Sequence, residues 1–577
     1  YNNIGLLYQN MNDYPKAYKY NKKSFDIFIN DRDKNFTILD NKQKLKYLES
    51  NSYKIELLLL SANSYIQELN NNGEENKAKK IKEDILNDWL NYKGAIFDDE
   101  NSIAILYEKI EDKNVKANIE ELNSLKQQLS KQYQTLPEPK DIDNYKLKIK
   151  ELEKNISDVE IYLSGQVDEF KEELGLRNVK YQDISKYLND NEIYIDFSRT
   201  KDNYFIFTLD NKNNVTFEKV DKEITTKIDE NIELFRENVQ SIVKSEISLS
   251  KDKLDSLNKD AKIILSNLYE DIVLNNLANK IDKFDIKKNI VFSLDGILNY
   301  LPFEALYDKK TNQYLIEKKE IKYVPSGREY IRLLNKKDVK NKSSKNIIMF
   351  TNPDYGLKLE PTATRNVLMT PNTRSIQFEN EALFSMEFKP LPGTQEEAKV
   401  ISKLYNGVND YNRDKATSQN LLKIKSPKIL HISTHGFFLD DENIENPMLK
   451  SGLAFAGANN AAYGDSQGVM TGLRLAGLNL EDTQLVVLSA CETGLGDING
   501  SEGVTGLNKA FIKAGARNIV MSLWSVADKE TAELMQDFYE NIKRTDNYQE
   551  SLKESKMKMI KQDVHPYYWS AFIMNGI

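Results

Sequence analysis

The chain has 577 residues, 40% hydrophobic and 29% charged, with a net charge of −8 and one cysteine. At a prior of about 150 residues per domain it holds three or four units; the composition is that of a globular protein, and the acidic balance argues against nucleic acid as the main ligand. A single cysteine excludes a disulfide framework, no apolar run reaches the roughly 18 residues of a membrane span, and no signal peptide is visible; together these point to the reducing cytoplasm.

The N-terminal stretch reads Ile4-Gly5-Leu6-Leu7-Tyr8, then Asp13-Tyr14-Pro15-Lys16-Ala17, then Ser24-Phe25. Gly5, Tyr8, Ala17 and Ser24 have the spacing of a tetratricopeptide repeat, a helix-turn-helix in which small residues let the helices touch. The aromatic usual four residues after the alanine is replaced by Asn21, with Tyr20 beside it. Such repeats need about three copies for a stable stack. One clean copy is visible and the chain begins at Tyr1, so further repeats are expected upstream or, in degenerate form, within residues 40–98. Asn51–Leu69 and Glu74–Tyr92 are helical in pattern, which makes 1–98 a repeat-like helical unit. Residues 99–178 are expected to form a long helical hairpin. Ile119, Leu122, Leu125 and Leu129 lie on its first arm, and Pro137-Glu138-Pro139 breaks the run. Leu147, Ile149, Leu152 and Ile156 form the seam of a second arm over Asn144–Leu163.

After residue 180 the texture changes. Glu192–Phe197 and Tyr204–Leu209 are β-branched and aromatic runs, hence strands. Lys222–Leu277 is largely helical, and Asn289–Leu294 is an apolar strand that ends in Asp295-Gly296. Lys345–Phe350, Lys428–Ser433, Leu485–Ala490 and Asn518–Leu523 are short apolar strands of the kind buried on both faces. They alternate with helices over Glu396–Leu404, Val504–Ala514 and Glu530–Ile542. The pattern predicts an α/β sandwich with a mostly parallel sheet.

In open parallel sheets the reactive groups gather beyond the carboxyl ends of the strands. Cys491 closes Leu-Val-Val-Leu-Ser-Ala-Cys-Glu-Thr-Gly, and 56 residues upstream His435-Gly436 closes Lys-Ile-Leu-His-Ile-Ser-Thr-His-Gly. A lone cysteine with a histidine about 50 residues before it is the caspase-type spacing. The thiol must ionise to attack a carbonyl, and an imidazole promotes that and protonates the leaving amine. The Gly436 and Cys491 N–H groups are candidate oxyanion donors. Alone, a buried cysteine is usually a small hydrophobe and a histidine a structural one; the pair with matching spacing favours catalysis. His431 stands four residues before His435, on the same side if the strand continues. A metal site from His431, His435, Cys491 and His565 lacks the paired ligand spacings zinc requires, so no metal is expected. No Gly-x-Ser-x-Gly elbow or phosphate loop occurs, and no cofactor is expected.

These residues resemble the CHAT peptidases, caspase-like proteins usually joined to tetratricopeptide repeats. The resemblance spans roughly residues 180–577. It rests on Leu294-Asp295-Gly296 with Leu301–Leu306, on Leu391-Pro392-Gly393-Thr394 with Glu396-Glu397-Ala398, and on His431–Gly436 and Leu488–Gly494. It continues through Ser522-Leu523-Trp524-Ser525-Val526-Ala527-Asp528 and His565–Phe572. It implies two caspase-like α/β halves, a pseudo-protease over 180–340 and an active protease over 345–577, and a proteolytic dyad of His435 and Cys491. By likeness to separase, Asp528 sits where an acidic residue helps bind a basic substrate side chain, with Ser525 replacing a second one. Asp528 can equally cap the following helix. Trp524 is a candidate pocket wall or core residue, and Glu492, like Asp497, a candidate substrate contact or a residue that holds the loop. The family also implies a protein substrate and a dormant state relieved by a protein or ribonucleoprotein partner bound through the repeats. Relatives act in bacterial antiviral defence, cutting a gasdermin or coupled to a CRISPR effector. The competing class is a non-catalytic scaffold for protein–protein interaction.

Overall fold

The computed structural model of the chain describes residues 1–133, 141–169, 178–245, 250–279, 284–337, 344–358, 386–439, 444, 446–463, 468–490, 494, 496–498 and 504–577. Helices α1 (Asn2–Asn10) and α2 (Tyr14–Phe36) form the hairpin expected of a repeat, and the Asp13 side chain caps α2 by accepting from the Lys16 N–H. They meet where Gly5 faces Asn21: a Cβ on Gly5 would lie 2.0 Å from the Asn21 Oδ1. A buried amide therefore fills the slot that an aromatic usually takes. Its Nδ2 donates to the Leu57 carbonyl at 3.3 Å, and Tyr20 stacks instead on Tyr8 with centroids 5.5 Å apart.

Helices α3 (Asn41–Asn51), α4 (Tyr53–Asn71), α5 (Glu75–Tyr92) and α6 (Ala95–Lys109) continue the layer. Helices α7 (Lys113–Tyr133) and α8 (Ile142–Glu169) pack together through buried Ile119, Leu122, Leu125 and Leu129 against Ile149, Leu152 and Ile156. Leu147 departs from the expected seam: it is 68% exposed, and the buried stripe starts at Ile149. A spacing of two residues turns the helix by about 200°, so both cannot share one face. The Pro137-Glu138-Pro139 break lies outside the described residues.

Apart from two short two-stranded hairpins, one in each half, the strands of the first half are β1 (Glu192–Arg199), β2 (Tyr204–Leu209), β3 (Val215–Val220), β4 (Asn289–Ser293) and β5 (Glu320–Tyr323). Those of the second are β6 (Ser344–Pro353), β7 (Asn409–Arg413), β8 (Pro427–Ser433), β9 (Gly436–Phe438), β10 (Ser451–Ala454), β11 (Val469–Thr471), β12 (Leu485–Ser489), β13 (Ile519–Ser522) and β14 (Phe572–Asn575). All but β9–β11 join one 11-stranded sheet in the order β3-β2-β1-β4-β5-β14-β13-β12-β8-β6-β7. The pairings β1–β4, β4–β5, β5–β14, β13–β12, β12–β8, β8–β6 and β6–β7 are parallel, and the rest antiparallel. The C-terminal strand β14 joins the halves: it pairs with β13 and meets β5 through Asn575 opposite Tyr323, and the Gly576 N–H donates to the Tyr323 carbonyl at 2.9 Å.

Alternation along β1 sends Ile193, Ile195 and Phe197 into the core beneath helices α9 (Lys222–Ser245) and α10 (Lys251–Leu268), and Tyr194 toward the N-terminal helices. Trp89 of α5 stacks on Phe207 of β2 at 6.3 Å. One difference from the expected elements follows Cys491. Val504–Ala514 is not one helix: Val504–Gly506 pairs with Gly496–Ile498 as a two-stranded hairpin, and only Leu507–Lys513 is helical (α13, after α11, Gly327–Lys337, and α12, Gly393–Leu404).

The helical region also touches the second half. Ser130 of α7 shares a 2.7 Å hydrogen bond with Thr471 of β11, and Glu100 of α6 pairs with Lys513 at 2.8 Å. Burial pushes the Glu100 carboxyl up, but Lys513, Lys509 and Lys126 outweigh it and hold the group down at about 2.

Candidate active site

Strand β8 is an apolar run that ends at Ser433, and the chain turns through Thr434 so that His435 stands beyond its carboxyl end. Strand β12 lies parallel beside it with Ser433 opposite Ser489. The expected His435 and Cys491 therefore each follow one member of an in-register pair by two residues. His435 is half-buried, its ring against Tyr355 (5.2 Å between centroids) and Phe388 (5.6 Å). Its Nε2 is 2.7 Å from the Lys389 carbonyl. A carbonyl only accepts, so Nε2 carries the proton, and Nδ1 is the basic nitrogen of the neutral ring. Thr434 is tied down by a 3.0 Å bond between its Oγ1 and the Tyr355 hydroxyl and by donation to the Ala454 carbonyl. Gly436 opens β9, opposite Leu453 of β10.

Cys491 and Glu492 lie outside the described residues. The chain on either side of them is anchored to one residue of the neighbouring strand. The Ser522 hydroxyl donates to the Ala490 carbonyl at 2.6 Å, and the Gly494 N–H donates to the Ser522 carbonyl at 2.7 Å. A Cβ on Gly494 would come within 3.0 Å of the Ser522 carbonyl and 2.9 Å of Leu523, so the approach needs a glycine.

Trp524 is 4% exposed. Its Nε1 donates to the Tyr567 carbonyl at 2.9 Å, and its ring meets Phe235 of α9 edge-on at 5.8 Å. It joins a helix of the first half to the C-terminal turn. Asp528 is the first residue of α14 (Asp528–Thr545), whose N-cap is Ala527; the Asp528 side chain is outside the description.

His431 departs from the side-by-side placement with His435, because the strand ends at Ser433 and the turn breaks the alternation. It is fully buried, with Nδ1 3.0 Å from the Tyr539 hydroxyl and Nε2 2.9 Å from Oε2 of Glu397. His565 caps a short C-terminal helix, its Nδ1 accepting from the Tyr567 N–H, and burial lowers its pKa to about 4. Among the described residues no group of three His, Cys, Asp or Glu side chains is placed to hold a metal ion.

Three residues that organise this region carried no role in the sequence: Glu397, Ser522 and Lys389. Glu397 and Ser522 lie inside recognisable motifs, yet a motif does not say what a buried side chain reaches. Lys389 acts through its carbonyl, which no side-chain pattern reports.

Residues 262–577 match the CHAT domain, and the chain belongs to that family. Among curated proteins it is similar to Tetratricopeptide repeat protein 28 of Mus musculus, 23% identical over 59% of this chain and 14% of the mouse protein. It is also similar to Tetratricopeptide repeat protein 28 of Homo sapiens, 22% identical over 50% of this chain and 12% of the human one. The chain thus spans a small part of the length of these relatives. Among solved structures, the Saccharomyces cerevisiae separase–securin complex aligns over 97% of this chain and 48% of that chain, at 12% identity and a TM-score of 0.43. The Arg-specific cysteine proteinase gingipain R aligns over 57% of this chain and 69% of that chain, at 8% identity and a TM-score of 0.31. Among the described residues no helix is long and apolar enough to cross a membrane.

Proposed function

We propose that this chain is a regulated cysteine endopeptidase. The Cys491 thiolate attacks the scissile carbonyl of a protein substrate, and His435 takes up the thiol proton and returns it to the leaving amine. The observation that carries the reading is the place of His435. It stands beyond the carboxyl end of β8, with its proton on the nitrogen facing Lys389, two residues past a serine in register with one two residues before the sole cysteine. The Gly436 and Cys491 N–H groups serve the oxyanion, a contribution of about 3–4 kcal/mol to the barrier where such donors have been removed. Asp528 and Glu492 supply negative charge for a basic substrate side chain, and Trp524 packs just beyond the end of β13.

Control comes through the helical region, which a protein or ribonucleoprotein partner engages, in keeping with a role in bacterial antiviral defence. The Ser130–Thr471 and Glu100–Lys513 contacts support this, because α7 and α6 touch β11, in the small sheet that Gly436 enters through β9, and the helix that follows the hairpin after Cys491. The test is cleavage of a protein substrate by the wild-type chain beside Cys491→Ala and His435→Ala. Both variants are expected to lose activity by at least about a thousandfold. Undiminished cleavage by Cys491→Ala refutes the assignment of the nucleophile, and partner binding with no cleavage by any form points instead to the scaffold.

A further inference from the structure

Directly beneath the two strand ends lies a buried carboxylate that the proposed chemistry does not use. Glu397 belongs to α12 (Gly393–Leu404), two turns before the helix ends, and is 2% exposed. Its two oxygens are divided between the two strands. Oε2 accepts from the Ser433 hydroxyl of β8 at 3.0 Å and lies 2.9 Å from His431 Nε2, while Oε1 accepts from the Ser489 hydroxyl of β12 at 2.9 Å. His431 is itself held by the Tyr539 hydroxyl of α14 at 3.0 Å. Burial and the Glu397 charge push the Tyr539 hydroxyl well above its usual range, so it stays protonated.

A buried carboxylate is costly unless its lone pairs are satisfied. Here it takes bonds from two strands and reaches them from a third element. Removing water from the group makes each bond stiffer than its equivalent at a surface. Ser433 and Ser489 are the in-register pair, and the residues two places beyond them are His435 and Cys491. Backbone pairing fixes the strands only as far as these serines. Beyond them the separation of the strand ends depends on what pins the last rungs.

We propose that Glu397 is a positioning residue that sets the spacing between His435 and Cys491 by clamping Ser433 and Ser489 from below. The inference rests on the thiol–imidazole reading above, and its test separates the two. Because Cys491 is the only cysteine in the chain, its alkylation by iodoacetamide, followed by intact mass across pH, reports on this thiol alone. His435→Ala is expected to slow alkylation at neutral pH and move its midpoint toward that of an unassisted thiol. Glu397→Gln, close in shape, and the double variant S433A/S489A are each expected to slow alkylation about tenfold and shift the midpoint the same way, with thermal unfolding still cooperative. A residue needed only for stability would lower the unfolding midpoint and leave the alkylation profile where it was. The inference is overturned if E397Q and the double serine variant alkylate with the wild-type rate and midpoint while H435A does not. If H435A itself matches wild type, the thiol–imidazole reading fails, and this inference with it. Should E397Q not fold, S433A and S489A taken singly decide the question, with smaller shifts in the same direction expected from each.

Discussion

Two pairs of neighbouring parallel strands in this sheet end on a buried charge, and the charge comes from different places. In the first half, the pairing of β1 with β4 ends with Asp196 opposite Ser293. There the buried Lys93 ammonium, from the turn after α5, donates to Asp196 Oδ1 and Ser293 Oγ at 2.8 Å and to the Phe197 and Ser293 carbonyls at 3.2 Å. Trp89 Nε1 and the Tyr194 hydroxyl complete the shell of Asp196. In the second half, β8 and β12 end with Ser433 opposite Ser489, and the clamp is Glu397, from a helix of the same half. Two residues beyond the rungs, the first half carries Ser198 and Asp295, the second His435 and Cys491. Asp295 is spent on structure, accepting from the Arg199 and Gly296 N–H groups at 2.8 and 2.9 Å. One strand-pair plan thus serves two ends. The first half anchors the N-terminal helices to the sheet, and the second keeps its clamp local and leaves the positions beyond it to His435 and Cys491.

The largest test of that contrast is Lys93→Ala, which leaves Asp196 buried without its cation. The expected cost is about 3–5 kcal/mol. Amide hydrogen exchange should report it as a loss of protection in β1, β4 and α5, with α12 and β12 little changed. Pairing the change with a neutral partner, as K93M/D196N, should recover most of the loss, because two apolar or neutral groups no longer require each other.

Next in size is a pH effect confined to the first half. Burial raises the Asp295 carboxyl to about 6, against the pull of Lys93 and two backbone N–H bonds. The folded state therefore holds this proton more tightly than the unfolded chain does. Its contribution to stability is complete below about pH 4 and is lost as pH rises through about 6, falling by about 1.4 kcal/mol per unit between them. Urea midpoints measured from pH 4 to 7 should show this decline in wild type and a flatter profile in D295N.

The smallest expected effect sharpens the comparison most. Ser293→Ala and Ser489→Ala each remove one hydroxyl from a charged clamp, and each should cost about 1–2 kcal/mol of stability. Only S489A should also change the alkylation rate of Cys491. Equal alkylation in the two variants would show that the second clamp, like the first, is architecture alone.

The legible part of this molecule was whatever repeats over a few residues. Apolar runs gave β8, β12 and β13 to within a residue or two. Small residues gave the α1–α2 hairpin, and the lone cysteine and its histidine stood out against flat composition. Where local pattern misled, a local cause overrode it: a turn at Thr434 separated His431 from His435, and a hairpin replaced the start of the helix after Cys491. Trp524 shows the limit from the other side. An aromatic beside a candidate site reads as pocket wall or core alike, and only the arrival of Phe235 from α9 decides for core.

By itself, then, the sequence determined the elements, their order, and which residues stand at strand ends, because backbone periodicity and side-chain pattern act over a handful of positions. The tertiary structure alone decided which buried charges meet. Lys93 finds Ser293 across 200 residues and Glu397 finds Ser489 across 92, since a desolvated charge is tolerable only where the completed fold delivers its partners.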